Sequence, residues 1–335
     1  MKIIIGFIIV LIAGFFQGTF ILPMTLIRQW KWENIWFLFS FLGMIVFNFL
    51  LSGIFINELL QVYEVIQHKN LILLSLFGFG WGIGAVLFGI GMKKLGMALG
   101  YPIIMGLTAS MGALLPLFIW HSSDILKPQG LMLILGVIIV VFGIILCSKA
   151  ANLKTDSVAE KKIRESLAGG IIIAVAAGLL SSLPNVGFSF GSSIAQKAID
   201  TGTPPLMAGN AVWTLFFSVG FIPNLFYTVF LMLKNKTFGL MISALNIRNI
   251  GLGLLMSVLW ISSFYLYGYS SFNLGRLGNI VGWPLFISLS IVIGNLWGIW
   301  RGEWRGSSVK ARVKLNTGLT VLVIAMVLFG ISNLF

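Results

Sequence analysis

The chain has 335 residues, of which 58% are hydrophobic and only 9% charged, and its mean hydropathy is +1.02. Soluble globular chains carry about 25% charged residues, so this composition excludes an ordinary soluble domain and indicates a protein embedded in a bilayer. The net charge of +13 fits basic loops that orient a membrane protein better than a nucleic-acid interface. The single cysteine, Cys147, excludes an internal disulfide and a cysteine-only metal cluster.

Long apolar runs, separated by clusters of charged residues and proline, predict membrane-spanning helices. The alternating pattern of a β-barrel is missing, which leaves helices as the spanning structure, and each span requires about 20 apolar residues. The first run has no obvious small-residue cleavage site and is interpreted as a retained helix rather than a signal peptide. The predicted fold is an all-α integral membrane protein with about ten transmembrane helices. In chain order the predicted spans are 3–22, 34–56, 71–92, 97–120, 130–148, 168–196, 206–233, 249–268, 277–300 and 316–334.

The distribution of Lys and Arg predicts the orientation of these helices. The loops after odd-numbered helices hold 17 of the 22 basic residues, and the N-terminal end and the other loops hold 5. Because basic residues concentrate on the cytoplasmic side, the odd-numbered loops are predicted to be cytoplasmic and both termini non-cytoplasmic.

Weak internal similarity divides the chain into two five-helix repeats. The segments 1–150 and 168–335 flank a basic cytoplasmic linker at 151–167. Trp81 with Gly89 in helix 3 matches Trp260 with Gly268 in helix 8, and three other helix pairs match in the same order. An odd number of helices per repeat makes the repeats inverted, which is a recurrent transporter architecture with the substrate near the midplane.

The segment after helix 1 reads Trp30-Lys31-Trp32-Glu33-Asn34-Ile35-Trp36. It resembles the W-x-W-E-x-x-W segment of the L-rhamnose–proton symporter family, a branch of the drug/metabolite transporter superfamily. Trp81-Gly82-Ile83-Gly84 and the following Lys94-Leu95-Gly96-Met97 also look family-like, as do the Pro184–Gly191 stretch and Gly302-Glu303-Trp304. The resemblance covers most of the chain and implies ten helices, a bacterial-type inner-membrane location and solute transport, possibly with proton symport.

One departure from the family pattern concerns the coupling ion. The rhamnose symporters carry an acidic residue shortly before the helix 9 tryptophan, whereas this chain reads Gly278-Asn279-Ile280-Val281-Gly282-Trp283. The resemblance alone therefore decides neither proton coupling nor rhamnose as the solute.

The ionisable residues favour a transporter over an enzyme. All nine acidic residues fall in loops or at helix ends, and the two histidines, His68 and His121, are isolated in the sequence. General acid–base catalysis needs positioned titratable groups, and a metal site needs clustered ligands. We therefore expect no catalytic residues, no metal and no cofactor. The candidates for carrying a proton are four helix-end residues: His121, Asp124, Glu33 and Glu303.

Polar and aromatic side chains within the spans predict the solute site. A buried amide without a partner costs several kcal/mol, so amides in these helices must pair with other helices or contact solute. Tryptophan rings offer flat apolar walls to sugars, although most membrane tryptophans form interfacial belts, as expected for Trp30, Trp36 and Trp300. The predicted substrate-binding residues, facing one central cavity, are Gln17, Trp81, Asn185, Trp213, Trp260 and Trp283.

These observations predict a secondary transporter of a small solute, most simply a sugar of the L-rhamnose type. Alternatives are an exporter of another solute class, a membrane-embedded enzyme, and a non-transporting scaffold. Two interpretations of the coupling stay open: a helix-end residue carries a proton, or the protein is a uniporter or uses another ion. The second is favoured by the lack of acids and histidines within the predicted spans.

Overall fold

A computed structural model of the chain describes residues 2–154, 167–243, 247–275, 277–302 and 304–332. These residues form helices and connecting turns, with no strand among them. Ten helices are long and apolar enough to cross a membrane, which confirms the predicted all-α fold and number of spans. They are α1 (Lys2–Thr19), α2 (Trp32–Phe55), α3 (His68–Met92), α4 (Ile103–Trp120), α5 (Pro128–Lys154), α6 (Leu167–Ser181 with Leu183–Phe190), α7 (Ala211–Lys234), α8 (Ile247–Asn273), α9 (Gly278–Trp300) and α10 (Val309–Ser332).

Shorter helices connect these spans. They are Pro23–Leu26, Leu59–Glu64, Ser122–Asp124, Ser192–Asp200, Pro205–Ala208 and Phe238–Ser243. Most of the predicted linker 151–167 lies outside the described residues, as do Arg276 and Glu303.

Helices α3 and α4 belong to one continuous helical run, His68–Trp120, which reverses direction between them. A Cβ on Gly100 would lie 3.4 Å from the carbonyl oxygen of Gly91. Nine residues of straight α-helix would separate such atoms by about 13 Å. The chain therefore turns back between these two glycines, as the sequence predicts for separate helices 3 and 4.

Some predicted boundaries differ from the observed ones. Helix α6 is interrupted at Ser182 and ends at Phe190 rather than 196, and the polar segment Ser192–Asp200 forms a helix of its own. Helix α10 begins at Val309, before the predicted 316. The Ser308 hydroxyl caps this start by accepting a 3.2 Å hydrogen bond from the backbone N–H of Ala311, as serine commonly does at helix N-termini.

Close glycine contacts join helix α1 to α9 and helix α6 to α4. A Cβ on Gly18 of α1 would lie 2.6 Å from Ile293 of α9, and a Cβ on Gly178 of α6 would lie 2.7 Å from Leu107 of α4. Small residues allow membrane helices to approach in this way. If each helix is exchanged with the one five positions away in the chain, α1 becomes α6 and α9 becomes α4. The first contact then becomes the second.

The same exchange relates the contacts of two tryptophans. Trp260 of α8 packs against Gly43 of α2, where an added Cβ would lie 3.2 Å from the indole. Trp81 of α3 packs against Gly220 of α7, where the corresponding distance is 2.8 Å. Because α2 and α8 become α7 and α3 under the exchange, this packing is consistent with the two predicted inverted repeats.

Helices α5 and α10 pack on each other through glycines. A Cβ on Gly318 would lie 2.6 Å from Cys147 Sγ, and one on Gly136 would lie 2.4 Å from the Phe329 ring. Their opposite faces carry exposed side chains such as Ile138, which is 60% exposed. This pair therefore lies against the other helices on one side and presents its other side to lipid.

Candidate functional site

The six predicted substrate-binding residues point into the helix bundle. Trp213 and Asn185 are fully buried, Trp283, Trp260 and Trp81 are 1%, 3% and 9% exposed, and Gln17 is half-buried. They come from α7, α6, α9, α8, α3 and α1, so both halves of the chain contribute. None of the six presents its side chain mainly to lipid, which is compatible with the predicted common site.

The tryptophans of α3, α7 and α8 form a central aromatic cluster with two phenylalanines, Phe217 and Phe264. The rings of Trp81 and Trp260 stack with centroids 5.9 Å apart and planes inclined by 19°. Phe217 contacts Trp260 at 4.8 Å and stacks on Trp213 at 5.2 Å, and Phe264 contacts Trp260 at 5.1 Å. Trp81 and Trp260, which the predicted repeats pair with each other, therefore meet where the two halves of the chain join.

Phe286 connects this cluster to the last predicted tryptophan. Its ring lies 5.7 Å from Phe264 and 5.8 Å from Trp283. The indole of Trp283 donates a hydrogen bond of 2.9 Å to the carbonyl of Thr108 and covers Gly112 of α4, where a Cβ would lie 2.1 Å from Nε1. Trp283 is thus fixed against α4, and no larger residue fits at Gly112 without displacing it.

Asn185 sits at the centre of a polar network that joins four helices. Its Nδ2 donates to the carbonyls of Gly112 on α4, at 2.7 Å, and of Asn279 on α9, at 2.9 Å. Its Oδ1 accepts a hydrogen bond from the Tyr267 hydroxyl of α8, and Asn279 donates to Ser189 of α6. Asn185 lies three residues after the interruption of α6 at Ser182, in the first turn of the new helix, which begins at Leu183 and contains Pro184. Tyr267, Asn279 and Ser189 are additions to the predicted site.

Gln17 contributes a hydrogen-bonding group near the aromatic cluster. Its Oε1 accepts a 2.8 Å hydrogen bond from the Ser263 hydroxyl of α8, one turn from Trp260. Within the described part of the chain, the Gln17 amide nitrogen has no hydrogen-bond acceptor. This nitrogen is therefore a donor that a solute hydroxyl could use.

The rings of the central cluster contact one another directly, so the space between them is filled in this conformation. A shared cavity remains a prediction for a more open conformation. A groove of about 520 Å³ does occur elsewhere, between α3 and α7. Its wall is apolar and includes Ile72 and Leu76, which are 61% and 59% exposed, so it matches a lipid chain better than a sugar. The groove is lined by Tyr63, Leu71, Ile72, Ser75, Leu76, Phe79, Leu215 and Val219.

Two carboxylates of the described residues are buried near the ends of spanning helices. Asp124 is fully buried between α4 and α5, with Lys127 Nζ at 2.8 Å and His121 Nδ1 at 3.7 Å. His121 is thus not isolated, contrary to the expectation from the sequence. Glu33 is 5% exposed and lies in the first turn of α2, because this helix begins at Trp32 rather than 34. Within the described residues, no group of three or more His, Cys, Asp and Glu side chains could hold a metal ion.

A comparison with known protein families establishes what kind of protein this is. The model of the L-rhamnose-proton symport protein family matches residues 1–333. The chain belongs to this family. The family membership inferred from the W-x-W-E segment and the later motifs is therefore confirmed, and the protein is a multi-pass membrane transporter.

Curated relatives in the symporter family cover nearly the whole chain. The L-rhamnose-proton symporters of Escherichia coli O1:K1 / APEC, Shigella sonnei (strain Ss046) and Shigella flexneri are each 25% identical to it over 329 residues. Each alignment covers 96% of this chain and 96% of the relative.

Proposed function

We propose that this protein carries a small neutral sugar of the L-rhamnose type into the cell together with a proton. The observation that carries the proposal is the stacked, repeat-related pair of Trp81 and Trp260 at the junction of the two halves. In transporters built from repeats, the solute binds at this junction near the midplane. The proposed location is a bacterial-type inner membrane, with both termini non-cytoplasmic.

The chemistry around the central aromatic cluster suits a sugar. A pyranose ring has apolar C–H faces, which indole walls can cover, and a rim of hydroxyl groups. Gln17 offers an amide, and Asn185, Asn279 and Tyr267 form a network of amide and hydroxyl groups beyond the rings. Ligand sites commonly combine such apolar walls with a few placed polar groups.

Export of a lipophilic cation is the second candidate considered. A site for a cation would be expected to place a carboxylate beside the rings. In the described part of the chain, the side chains stacked on or hydrogen-bonded to the cluster are neutral. Glu33 and Asp124 lie instead near the membrane faces. The neutral surroundings favour an uncharged solute.

Proton coupling requires a group that changes its protonation state during transport. Carboxylates and histidine are the side chains with reference pKa values suited to this task. The buried Glu33 and Asp124, the second with His121 beside it, are the candidates that the structure describes. Burial of two carboxylates, together with the family's proton symporters, makes the proton the proposed coupling ion in place of uniport.

The test is solute accumulation by purified protein in liposomes. With an acidic exterior and a neutral interior, radiolabelled L-rhamnose should concentrate inside, and a protonophore should abolish the accumulation. L-Fucose, D-glucose, an amino acid and a lipophilic cation serve as alternative solutes. Sugar binding should also raise the free energy of unfolding, by about 2.7 kcal/mol when the free sugar concentration is one hundred times its dissociation constant. Failure of every sugar in both assays would contradict the proposal.

Two carboxylate variants distinguish proton coupling from sugar binding. If a buried carboxylate carries the proton, Glu33→Gln or Asp124→Asn should abolish gradient-driven accumulation but preserve exchange of labelled for unlabelled sugar. Asp200→Asn is the matched control, because Asp200 is exposed and bonds only Gln196 and Lys197 of its own short helix. Normal accumulation in both test variants would exclude them as proton carriers.

A membrane-embedded enzyme is the alternative outside transport. We propose that the chain has no catalytic role, since the buried acids Glu33, in the first turn of α2, and Asp124, between α4 and α5, bond different partners. Purified protein incubated with lipid-linked substrates should give no product. Turnover that depends on either carboxylate would support the enzyme instead.

A further inference from the structure

We propose that Glu33 and Asn57 are gating residues, each at the centre of a hydrogen-bonded latch that closes one membrane face. We call the membrane face that carries the loops after odd-numbered helices the odd face, and the opposite one the even face. The odd-face latch joins the loop after α1 and the start of α2 to the α7–α8 segment. The even-face latch joins the α2–α3 loop to the α6–α7 loop. The proposal rests on the proposed transport function, but on neither the solute nor the coupling ion.

The odd-face latch is built around a buried carboxylate. Glu33 Oε1 accepts hydrogen bonds from Asn235 Nδ2 and Thr237 Oγ1, both at 2.9 Å. The donors follow the end of α7, about two hundred residues further along the chain. Glu33 and Thr237 are each 5% exposed, so water is largely excluded from the contact. A carboxylate that accepts hydrogen bonds forms stronger ones than a neutral acceptor would.

Two asparagines extend this latch. Asn34 Nδ2 donates to the carbonyl of Thr237 at 3.0 Å, while its Oδ1 accepts from the backbone N–H of Lys31 at 3.1 Å. Asn249, at the start of α8, binds both backbone groups of Arg28, donating to the carbonyl at 2.9 Å and accepting from the N–H at 3.4 Å. The odd-face latch therefore ties the first half of the protein to the second.

The even-face latch is centred on the exposed Asn57. Its backbone N–H donates to Thr203 Oγ1 and its Nδ2 donates to the carbonyl of Gly202, both at 2.9 Å. Thr201 donates to the carbonyl of Asn57 at 3.4 Å. Gly202 has φ +91°, a conformation that glycine adopts readily, and this turn presents its carbonyl to Asn57. This latch also ties the two halves together.

The two latches correspond under the exchange that relates the repeats. The loop after α1 becomes the loop after α6, and the loop after α7 becomes the loop after α2. Since successive loops of spanning helices alternate between membrane faces, the latches lie at opposite faces. Both are closed in this structure, and the central aromatic cluster lies between them. Breaking one while keeping the other would open the centre to one face only, which is what a transport cycle requires.

Accessibility of a reporter cysteine tests the assignment without any sugar. Ser263→Cys, in a Cys147→Ala background, places a nearly isosteric thiol beside Gln17. Its reaction with a membrane-impermeant maleimide is measured from each face, in oriented vesicles. Glu33→Ala should raise the labelling rate from the odd face at least tenfold, with little change from the even face. Asn57→Ala combined with Thr203→Val, which removes both 2.9 Å hydrogen bonds of the even-face latch, should do the reverse.

Matched controls remove similar groups that bond only their own helix. Asp200→Asn removes an exposed carboxylate, and Asn295→Ala removes an amide whose Nδ2 bonds the carbonyl of Ile291 at 2.9 Å. Neither should change labelling from either face. If Glu33→Ala fails to fold, Thr237→Val removes one donor to the same carboxylate and should raise odd-face labelling in the same way.

Two results would overturn the gating assignment. The first is unchanged labelling in folded latch variants, which would make the latches static ties. The second is an equal increase from both faces, which would indicate general loosening. A failure to transport sugar, with face-specific labelling intact, would instead count against the proposed solute and leave the gates in place.

Discussion

Replacing Asn185 with alanine gives a sharp test of the site because its contacts can be counted. The side chain is fully buried and makes hydrogen bonds with Gly112, Asn279 and Tyr267. Hydrogen bonds between membrane helices contribute about 0.6 kcal/mol each on average, so Asn185→Ala should lower the free energy of unfolding by about 2 kcal/mol. Folded proteins have roughly 5–15 kcal/mol of stability, so the variant should still fold and reach the membrane.

The assay is unfolding of purified protein in detergent, compared with transport in liposomes. Asn295→Ala is the matched control, because that amide bonds only its own helix and its removal should change stability by less than about 0.5 kcal/mol. We expect Asn185→Ala to express normally and to lose most sugar transport, since Tyr267 and Asn279 would reorient. Equal effects of the two substitutions, or normal transport by Asn185→Ala, would refute the reasoning.

Three further predictions follow from the site and from the charges. Gly112→Ala should destabilise the protein by about 1–3 kcal/mol, because the new Cβ would overlap Trp283, whereas Gly106→Ala should cost little because its nearest neighbour would lie at 4.0 Å; thermal unfolding measures both. Trp260→Phe should raise the half-saturating sugar concentration about two- to tenfold, while Trp300→Phe, at a 71% exposed position, should leave it unchanged. A reporter that fluoresces only in the cytoplasm should stay dark when fused to the C-terminus, and bright intact fusions would reverse the predicted orientation.

The sequence was sufficient to predict the ten helices, because their length and apolar composition are local properties. It was also sufficient to direct Asn185 and the tryptophans inwards, since burying an amide without a partner costs free energy. The partners of Asn185 were not predictable. Tyr267 and Asn279 come from α8 and α9, and nothing near them in the sequence marks which neighbour they meet.

Residues near the membrane faces were predicted less well. Trp36 fitted an interfacial belt, but its indole donates a 3.0 Å hydrogen bond to Asn224 of α7, so the ring serves helix packing. The sequence predicts Glu33 just outside helix 2, and the burial of this side chain depends on donors that follow α7. Contacts between segments so far apart in the chain depend on tertiary packing, and a single sequence carries no local signal of them.

The wide π-helical turn at Phe41–Val46 in α2 has a consequence for how the length of this helix can vary. A π turn holds one residue more than a regular α-helical turn. Compared with a regular helix of the same number of residues, the extra residue changes the rotation of one end of α2, which carries Glu33, relative to the other end, which carries Asn48. Deleting one residue within the turn would restore a regular α-helix and leave both ends in place. A deletion in the regular helix between Glu33 and Phe41 would rotate one end by about 100°. It would carry either Glu33 away from Thr237 or Asn48 away from the carbonyl of Trp213, 3.1 Å from its Nδ2.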